Sequence, residues 1–512
     1  KTLRVKKSLL SVSNRRPKGQ TPSGLPFILS PANRSLPINS FILFPPHSRR
    51  GGYPFGSRAS SYPDRFSSVL DFGILEQRGL LCSLEADRID LFDIVSKDRC
   101  MADFHQQGPI TTLHDLGSIG QDHLEAMLRE ATVDYRLGLI LPVTASDMRA
   151  APFEKIVQEL RGADYIEHVI VVLGIAPEVT DYREAKEKLA PLGAKAEVLW
   201  TDGERLQNLY EELIASGFNL AVPGKGRSVW TAFGYLMADP SLKAYMLHDC
   251  DIVTYNRELL ARLCLPMAHR SLDFEFCKAF YARRTNQLHG RTVRLLVWPL
   301  LRSLMTILGP DPFLTYLSSF RYPLSGEFAV SAGLARSNRI PSDWGLEVGT
   351  LAEVFRNTST KRVCQVDITS EYEHKHQDLS LGDPTKGLMR MATDILTSMF
   401  RTLASRGTVL SEGHFVTLRS AFLRAAQDAI RQYHADALMN GLQFDRHAEE
   451  IAVEGFAEQI MAAGIAFGED PAGGESIPNW TRVLAAFPDF PERLREAVAA
   501  DARQWNTASV EG

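Results

Sequence analysis

The chain contains 512 residues, of which 45% are hydrophobic and 23% are charged, and its formal net charge at pH 7 is -4. This composition is typical of a globular protein of about two or three domains, and no stretch reaches the roughly 18 uncharged apolar residues of a membrane helix. The six cysteines form no CxxC pair. This argues against a disulfide framework or a zinc site and favours reduced thiols in a cytoplasmic protein.

The N-terminal part differs from the rest in charge. Residues 1–66 carry twelve Lys and Arg against one acid, Asp64, and are rich in Pro, Ser and Gly. Such a segment buries too little apolar surface to offset the entropy of ordering, so we predict disorder over 1–100. Because Met101 is the first methionine and looks like a natural start, we interpret 1–100 as a mis-extended segment. A transit peptide and a basic arm that binds nucleic acid are the alternatives, although the arm lacks regularly interleaved aromatics and we expect no nucleic-acid partner.

Apolar runs alternate with helical patterns from about residue 135. The predicted strands are 136–143, 168–173 and 196–200, and the predicted helices are 153–161, 182–189 and 204–216. Near-continuous apolar strands alternating with helices predict a parallel sheet that is covered on both faces. Ligands then bind at the carboxyl ends of the strands, where Pro142, Leu173 and Asp249 are expected.

A short apolar run beginning at Ala244 ends in two carboxylates, Asp249 and Asp251. Residues at i and i+2 of a strand point to the same side, so both carboxylates can face one ligand at the end of the strand. Two hard oxygen ligands suit Mg²⁺ or Mn²⁺ bound together with substrate phosphates, as in the Asp-x-Asp pattern of nucleotide-sugar glycosyltransferases. By itself the tripeptide also occurs as a solvated turn.

A glycine-rich segment, 223–230, precedes the acidic pair by about twenty residues and is predicted to open a helix. Gly224 lets the backbone approach a phosphate, Lys225 supplies a charge, and a helix N-terminus favours anions. The spacing is not that of a Walker A loop. An ordinary glycine-rich turn into a helix is the alternative.

The remainder of the chain is predicted to be mixed and then helical. Strands are expected at 274–281 and 362–368, an amphipathic helix at 293–308, and C-terminal helices at 388–405, 415–436 and 446–463. The C-terminal helices show apolar residues at three- and four-residue spacing.

Five short motifs follow the acidic pair in order. They are Lys278–Tyr281, Gly290–Leu301, Tyr322–Ala329, Trp344–Gly349, and Gln365–Ile368 with its trailing His374. Together with Gly224-Lys-Gly and Asp249-Cys-Asp251, they resemble the glucosyl-3-phosphoglycerate synthase and mannosyl-3-phosphoglycerate synthase family of retaining GT-A glycosyltransferases, over roughly residues 136–400.

The resemblance implies both architecture and activity. It implies an α/β fold, with a GT-A (Rossmann-like, nucleotide-sugar-binding) domain over 101–385, a helical C-terminal region over 386–512, and a homodimer. The implied reaction moves glucose or mannose from a UDP-, GDP- or ADP-hexose to 3-phosphoglycerate or glycerate. Its product would be a glucosylglycerate-type compatible solute or the phosphate of that solute.

The resemblance also implies roles for particular residues. The donor would contact residues at the strand ends and in the two glycosyltransferase motifs: Pro142, Leu173, Gly224, Lys225, Asp249 and Cys250. Asp251 and His374 would bind Mg²⁺ or Mn²⁺, a mixed nitrogen and oxygen set that both ions accept. The family carries an acid after the second strand that is absent from 171–174, which leaves the donor base open.

The acceptor would bind at a second group of residues: Gly290, Arg291, Thr292, Val293, Glu347 and His376. Backbone amides after Gly290 and the Arg291 guanidinium can hold a carboxylate or phosphate. Glu347 would bond acceptor hydroxyls, and Asp251, Glu347 and Arg291 are the predicted catalytic residues. There are two structural alternatives. Arg291 could pair with a surface acid, and Glu347 could interact with the dipole at the N-terminus of a helix. His376 stands where the family has asparagine and could replace His374 as the metal ligand.

Four other functions are alternatives to this reaction. A sugar nucleotidyltransferase also uses a glycine-rich loop and Mg²⁺, but its loop follows the first strand. A processive polysaccharide synthase would carry membrane helices and a Gln-x-x-Arg-Trp motif, and the sequence has neither. A non-enzymatic nucleotide-sugar-binding module, or a GT-A enzyme with another small acceptor, stays open.

Overall fold

The computed structural model describes residues 106, 108–341, 345–374, 379–380, 383, 386–473 and 476–505. The predicted disorder over 1–100 and the proposed start at Met101 lie outside these residues. The strands of the sheet are β1 Thr111–Leu113, β2 Arg136–Thr144, β3 His168–Gly174, β4 Ala196–Trp200, β5 Leu242–Leu247, β6 Phe276–Tyr281, β7 Phe328–Ser331 and β8 Val363–Thr369.

Helices surround the sheet and form the C-terminal part. Those up to β5 are α1 Gln121–Ala131, α2 Ala145–Met148, α3 Ala151–Leu160, α4 Val179–Leu189, α5 Glu204–Ala215 and α6 Lys225–Met237. Those between β5 and β8 are α7 Arg257–Ala268, α8 Trp298–Leu308, α9 Pro312–Leu317, α10 Ala332–Ser337 and α11 Leu346–Asn357. The C-terminal helices are α12 Gly387–Ser405, α13 Glu412–Met439, α14 Arg446–Glu469, α15 Trp480–Ala486 and α16 Phe490–Gln504. Short 3₁₀ segments cover Ala190–Lys195 and Thr360–Arg362.

The strands form one sheet in the order β1-β8-β6-β7-β5-β2-β3-β4. The predicted parallel sheet is confirmed for β2, β3, β4 and β5, whereas β7, which was not predicted, runs antiparallel to both β5 and β6. The other neighbouring strands pair in parallel. The carboxyl ends of β2 to β5 therefore meet at one edge of the sheet, where ligands are expected.

Alternate side chains of each central strand point to two separate apolar cores. In β2, Ile140 packs in the core shared with α5, α6 and the C-terminal helices. Leu139 and Leu141 pack in the opposite core, with α1, α3 and α7. Two buried faces explain the near-continuous apolar strands. The predicted α/β class is confirmed.

The C-terminal helices share the first of these cores with the sheet. Trp480 of α15 stacks on Trp230 of α6 with ring centroids 4.2 Å apart. Each indole nitrogen also donates a hydrogen bond to a backbone carbonyl, that of Trp480 to Trp230 and that of Trp230 to Pro478. The three predicted C-terminal helices are confirmed, and they pack directly on the α/β part.

The predicted amphipathic helix at 293–308 begins differently from a regular helix. Its first turns, Thr292–Val297, are π-helical, and α8 follows with Pro299 in its first turn. Proline lacks an amide hydrogen, so a wider preceding turn is compatible with its place in the helix.

One helix of the described residues, α14, is long and apolar enough to cross a membrane. However, 56% of its most apolar window is buried within the protein. Its first turn also carries Glu449, which forms ion pairs with two arginines. These contacts identify α14 as a helix of the protein core.

Candidate functional site

A cavity of about 780 Å³ opens at the carboxyl ends of β2, β3 and β4 and at the loop after β5. The predicted donor residues that line it are Pro142, Gly224, Lys225, Asp249 and Cys250. The predicted acceptor and metal residues that line it are Gly290, Arg291, Thr292, Val293, Glu347, Asp251 and His374. The predicted residues thus come together although they are spread over more than two hundred positions.

One predicted donor residue is placed differently. Leu173 is fully buried in the core below the sheet and does not line the cavity, whereas its neighbours Val172 and Gly174 do. The error arose because strand residues alternate between faces, so the last apolar residue of a strand does not have to face the ligand. His376 lies outside the described residues.

Lys225 begins α6, as predicted, and lies between two carboxylates of the cavity. Its Nζ atom is 2.6 Å from Oδ1 of Asp249 and 3.7 Å from Oε1 of Glu347. Burial alone would lower the pKa of Lys225, but Asp249 and Glu347 raise it above its usual value. Burial would conversely raise the pKa of Asp249, and the Lys225 ammonium holds it below its usual value. Both groups are therefore charged at neutral pH.

Asp249, Asp251 and His374 form a candidate metal site. One ligand atom of each residue lies within 4.8 Å of the others. The buried Oδ1 of Asp251 accepts no hydrogen bond from any residue that the structure describes. Because a buried carboxylate oxygen rarely stays unsatisfied, a cation fits this position. The donor set of two carboxylates and one imidazole suits Mg²⁺ or Mn²⁺.

Hydrogen bonds between two loops bring His374 to the acidic pair. The amide of Val253 donates to the carbonyl of Glu373 at 2.8 Å. The Thr254 hydroxyl donates to the carbonyl of Glu371 at 3.1 Å and accepts from the Glu373 amide at 3.2 Å. These bonds fix the loop after β8 against the loop after β5, and so fix the separation of the candidate metal ligands.

A buried histidine contacts the backbone of the acidic pair. His248 contacts the backbone carbonyl of Asp249 through Nδ1 and the hydroxyl of Tyr255 through Nε2, both at 3.1 Å. Burial lowers the pKa of His248 to about 4. A neutral imidazole therefore holds this turn at physiological pH.

The Ser-Gly-Glu turn, 325–327, closes the opposite side of the acidic pair. A Cβ atom on Gly326 would overlap the Asp249 carboxylate, which therefore lies directly against the glycine backbone. Glu327 is fully buried and accepts hydrogen bonds from the hydroxyls of Tyr281 at 2.8 Å and Tyr372 at 2.6 Å. Burial, with the nearby Asp249 charge, raises the pKa of Glu327. Glu327 does not line the cavity, so its position is that of a structural acid.

The predicted acceptor side is built around Gly290, whose φ of 73° is accessible mainly to glycine. The amides of Val293 and Arg294 donate to the Gly290 carbonyl at 3.0 Å, so they belong to the helix and do not face a ligand. The Arg291 side chain extends into the cavity. Its Nε donates to Oε1 of Glu449 at 2.7 Å.

Four acidic residues that line the cavity were missed in the sequence: Asp147, Asp202, Asp445 and Glu449. Glu449 of α14 joins Arg291 and Arg294 from the C-terminal part, and no local motif marks it. Asp202 follows β4, lines the cavity, and accepts a hydrogen bond from the Ala176 amide at 2.8 Å. Asp202 thus places a carboxylate beside the end of β3, where the sequence after that strand lacks one. The rule that parallel strands end at one edge could have identified it.

Comparison with known proteins adds an independent line of evidence. A scan against protein-family models finds no match. The chain is 45% identical over 401 residues to the glucosyl-3-phosphoglycerate synthase of Persephonella marina, covering 78% of this chain and 99% of that protein. It is 40% identical over 409 residues to the enzyme of the same name from Methanococcoides burtonii, covering 79% and 99%.

Solved structures give a weaker likeness. The crystal structure of mannosyl-3-phosphoglycerate synthase from Rubrobacter xylanophilus is 21% identical, with a TM-score of 0.44, covering 59% of this chain and 83% of that chain. Glucosyl-3-phosphoglycerate synthase from Mycobacterium tuberculosis, in complex with Mn²⁺, UDP-glucose and phosphoglyceric acid, is 20% identical with a TM-score of 0.43, covering 59% and 90%. The two sequence relatives, matched over almost their whole length, show that the chain belongs to the glucosyl-3-phosphoglycerate synthase family.

Proposed function

We propose that this protein transfers the glucosyl group of a nucleotide-diphosphate glucose to 3-phosphoglycerate and releases the nucleoside diphosphate. One observation carries the proposal: a single cavity holds the three-ligand group of Asp249, Asp251 and His374 together with Arg291. The first suits a metal-bound diphosphate, and the second suits an anionic acceptor. The names of the two sequence relatives support glucose and 3-phosphoglycerate.

The cavity residues have different roles in the proposed reaction. Lys225, charged at neutral pH, lies beside the donor diphosphate and stabilises negative charge on the leaving group. Asp249, Asp251 and His374 would hold Mg²⁺ or Mn²⁺, which supplies further charge stabilisation to the diphosphate. Glu347 accepts a hydrogen bond from an acceptor hydroxyl, and Arg291 binds the acceptor anion.

The stereochemical course follows from the family resemblance. We propose retention of the anomeric configuration, with the acceptor hydroxyl attacking from the face that the diphosphate leaves. In that step the new glycosidic bond forms as the bond to the phosphate oxygen breaks, and the hydroxyl proton passes to that oxygen. An inverted configuration in the product, determined from the anomeric proton coupling by NMR, would contradict this mechanism.

The C-terminal helices support a small acceptor. Leu388 and Met391 of α12 and Phe444 before α14 line the same cavity as Arg291. This apolar wall bounds the acceptor side of the cavity and favours a compact anionic acceptor over a growing polysaccharide. A cytoplasmic homodimer that makes a compatible solute accords with this function and stays a prediction.

A matrix of donors and acceptors tests the proposal. The purified full chain is given UDP-, GDP- or ADP-glucose, or GDP-mannose, with 3-phosphoglycerate or glycerate and with Mg²⁺ or Mn²⁺. We expect glucosyl transfer to 3-phosphoglycerate with one preferred nucleotide. Asp251→Asn should abolish turnover, whereas Asp436→Asn, on the exposed surface of α13, should leave it unchanged. Absence of glucosyl transfer to either acceptor, or full activity of Asp251→Asn, would refute the proposal.

A second assay separates this function from the second candidate, a sugar nucleotidyltransferase. That enzyme would form a nucleotide-sugar and pyrophosphate from a sugar phosphate and a nucleoside triphosphate. The structure places the Gly224-Lys225 turn between β4 and β5 and not after the first strand of the sheet. We therefore expect no pyrophosphate release with glucose 1-phosphate and any nucleoside triphosphate.

A further inference from the structure

A buried carboxylate of the C-terminal helices reaches the acceptor side of the cavity. Glu449 is 4% exposed and lies in the first turn of α14. That turn is fixed by Asp445, whose side chain caps the helix by accepting from the Ala448 amide at 3.0 Å. The preceding segment is fixed as well, because the Gln443 amide donates to the Asn286 carbonyl at 2.8 Å.

Glu449 binds both arginines of the segment 290–297, called the acceptor segment below. Its Oε1 accepts from Nε of Arg291 at 2.7 Å, and its Oε2 accepts from Nη1 of Arg294 at 2.8 Å. Charge-assisted hydrogen bonds of this length are among the stronger ones in proteins. One carboxylate thus couples the two guanidinium groups to each other.

The two arginines differ in what remains available for a ligand. Arg294 also donates to the carbonyls of His289 at 2.8 Å and Leu288 at 3.3 Å, and its guanidinium lies 5.0 Å from the Tyr433 ring centre. Arg291, in contrast, makes no hydrogen bond through its terminal nitrogens to any residue that the structure describes. It is 35% exposed at the side chain and lines the cavity. Arg294 is therefore structural, while Arg291 presents two terminal nitrogens to an anion.

We propose that Glu449 is a positioning residue for acceptor binding, so that α14 forms part of the acceptor subsite. This inference rests on the proposed function. By holding Nε, Glu449 fixes the rotation of the Arg291 guanidinium and leaves its terminal edge directed at the acceptor carboxylate or phosphate. A guanidinium that is already oriented loses less conformational entropy when the acceptor binds.

Steady-state kinetics of Glu449→Gln provide the test. We expect KM for 3-phosphoglycerate to rise at least tenfold, because the amide loses the charge and one acceptor atom. KM for the nucleotide-glucose donor should stay within twofold. Glu449→Asp keeps the charge but shortens the side chain, so its acceptor KM should lie between those of the wild type and Glu449→Gln. Glu450→Gln, the adjacent residue paired with Arg446 on the outer side of α14, is the matched control and should behave as wild type.

A double-mutant cycle shows whether Glu449 acts through Arg291. In an Arg291→Ala background, Glu449→Gln should raise the acceptor KM less than twofold further. An equal rise in both backgrounds, or an unchanged acceptor KM in Glu449→Gln alone, would overturn the inference. A change confined to the melting temperature would likewise identify a purely structural ion pair.

Binding without turnover separates this inference from the proposed function. Calorimetric titration of the wild type and Glu449→Gln with 3-phosphoglycerate measures the acceptor site directly. Wild type that binds 3-phosphoglycerate more tightly than the variant, but transfers no glucose, would refute the proposed function and support the role of Glu449. Equal binding by both, or binding by neither, would refute the role of Glu449.

Discussion

Replacement of Gly326 by alanine tests whether the backbone of Gly326 fixes the position of the Asp249 carboxylate. An ideal Cβ at residue 326 would lie 2.9 Å from Cγ of Asp249 and 3.1 Å from Oδ1, and would overlap Oδ2. Ordinary contact begins at 3.4 Å, so Cγ alone has to move by about 0.5 Å and Oδ2 by more. That movement disturbs both the contact of Asp249 with Lys225, which is 2.6 Å long, and the three-ligand group.

The expected cost is large for catalysis and moderate for stability. A misplacement approaching 1 Å in a catalytic group can lower a rate about 100-fold, equivalent to about 2.7 kcal/mol of transition-state stabilisation. We therefore expect Gly326→Ala to lower kcat/KM by about 100-fold and to weaken the apparent metal affinity. Overpacking of this kind lowers the free energy of unfolding by about 1–3 kcal/mol. The variant should therefore still fold, with a lower melting temperature than the wild type.

The assay measures initial rates of glucosyl transfer over a range of Mn²⁺ concentrations, together with the melting temperature. Gly333→Ala is the matched control, because a Cβ there meets no atom within 4 Å. The same substitution in α10 should leave the rate within about twofold and favour the helix slightly. If Gly326→Ala kept the wild-type rate and metal dependence, the contact between the glycine backbone and Asp249 would have no catalytic importance.

Three further predictions concern metal, pH and the C-terminal helices. A chelator should abolish glucosyl transfer, and Mn²⁺ should raise the melting temperature of the wild type but not of Asp251→Asn. Burial, with the Asp115 carboxylate nearby, raises the pKa of Asp367 to about 6, so the folded state holds that proton more tightly than the unfolded chain. The unfolding free energy should therefore fall by on the order of 1 kcal/mol from about pH 4 to pH 6, and chemical denaturation of Asp367→Asn should lack this part of the fall. Trp480→Ala should lower the unfolding free energy by about 3–5 kcal/mol, measured with urea, because it removes the stack on Trp230; an unchanged value would mean that α15 adds little to the core.

Much of the sheet could be predicted because its strands are buried on both faces. β2, β3 and β4 begin within a residue of their predicted positions, since an unbroken apolar run leaves few alternatives to a central strand. β7 was missed because it has four residues and directly follows Glu327, a buried charge. Its antiparallel direction depends on the turn at 325–327 and has no signature in local periodicity.

The site was predicted to the extent that its residues lie in local motifs. Lys225 and Asp249 follow predicted elements of the sheet and could be placed at its edge by topology alone. Glu449 could not, because it meets Arg294 across 155 residues of chain. A first-turn glutamate before an apolar helix is an ordinary feature of a helix N-terminus. Only the packing of α14 on the acceptor segment distinguishes it.

The charges of the cavity explain why its two ends differ. At the donor end, the carboxylates of Asp249 and Glu347 lie beside the Lys225 ammonium, and the Asp251 carboxylate lies beside that of Asp249. A divalent cation would balance the two negative charges that remain in this group, and a diphosphate would add more negative charge. We therefore expect donor binding to depend on the metal. At the acceptor end, two arginines share the single carboxylate of Glu449, which leaves positive charge for the acceptor without any metal. By this count the donor group is neutral once a divalent cation binds, whereas the acceptor group keeps one positive charge. Without the cation, the donor group would repel an anionic acceptor.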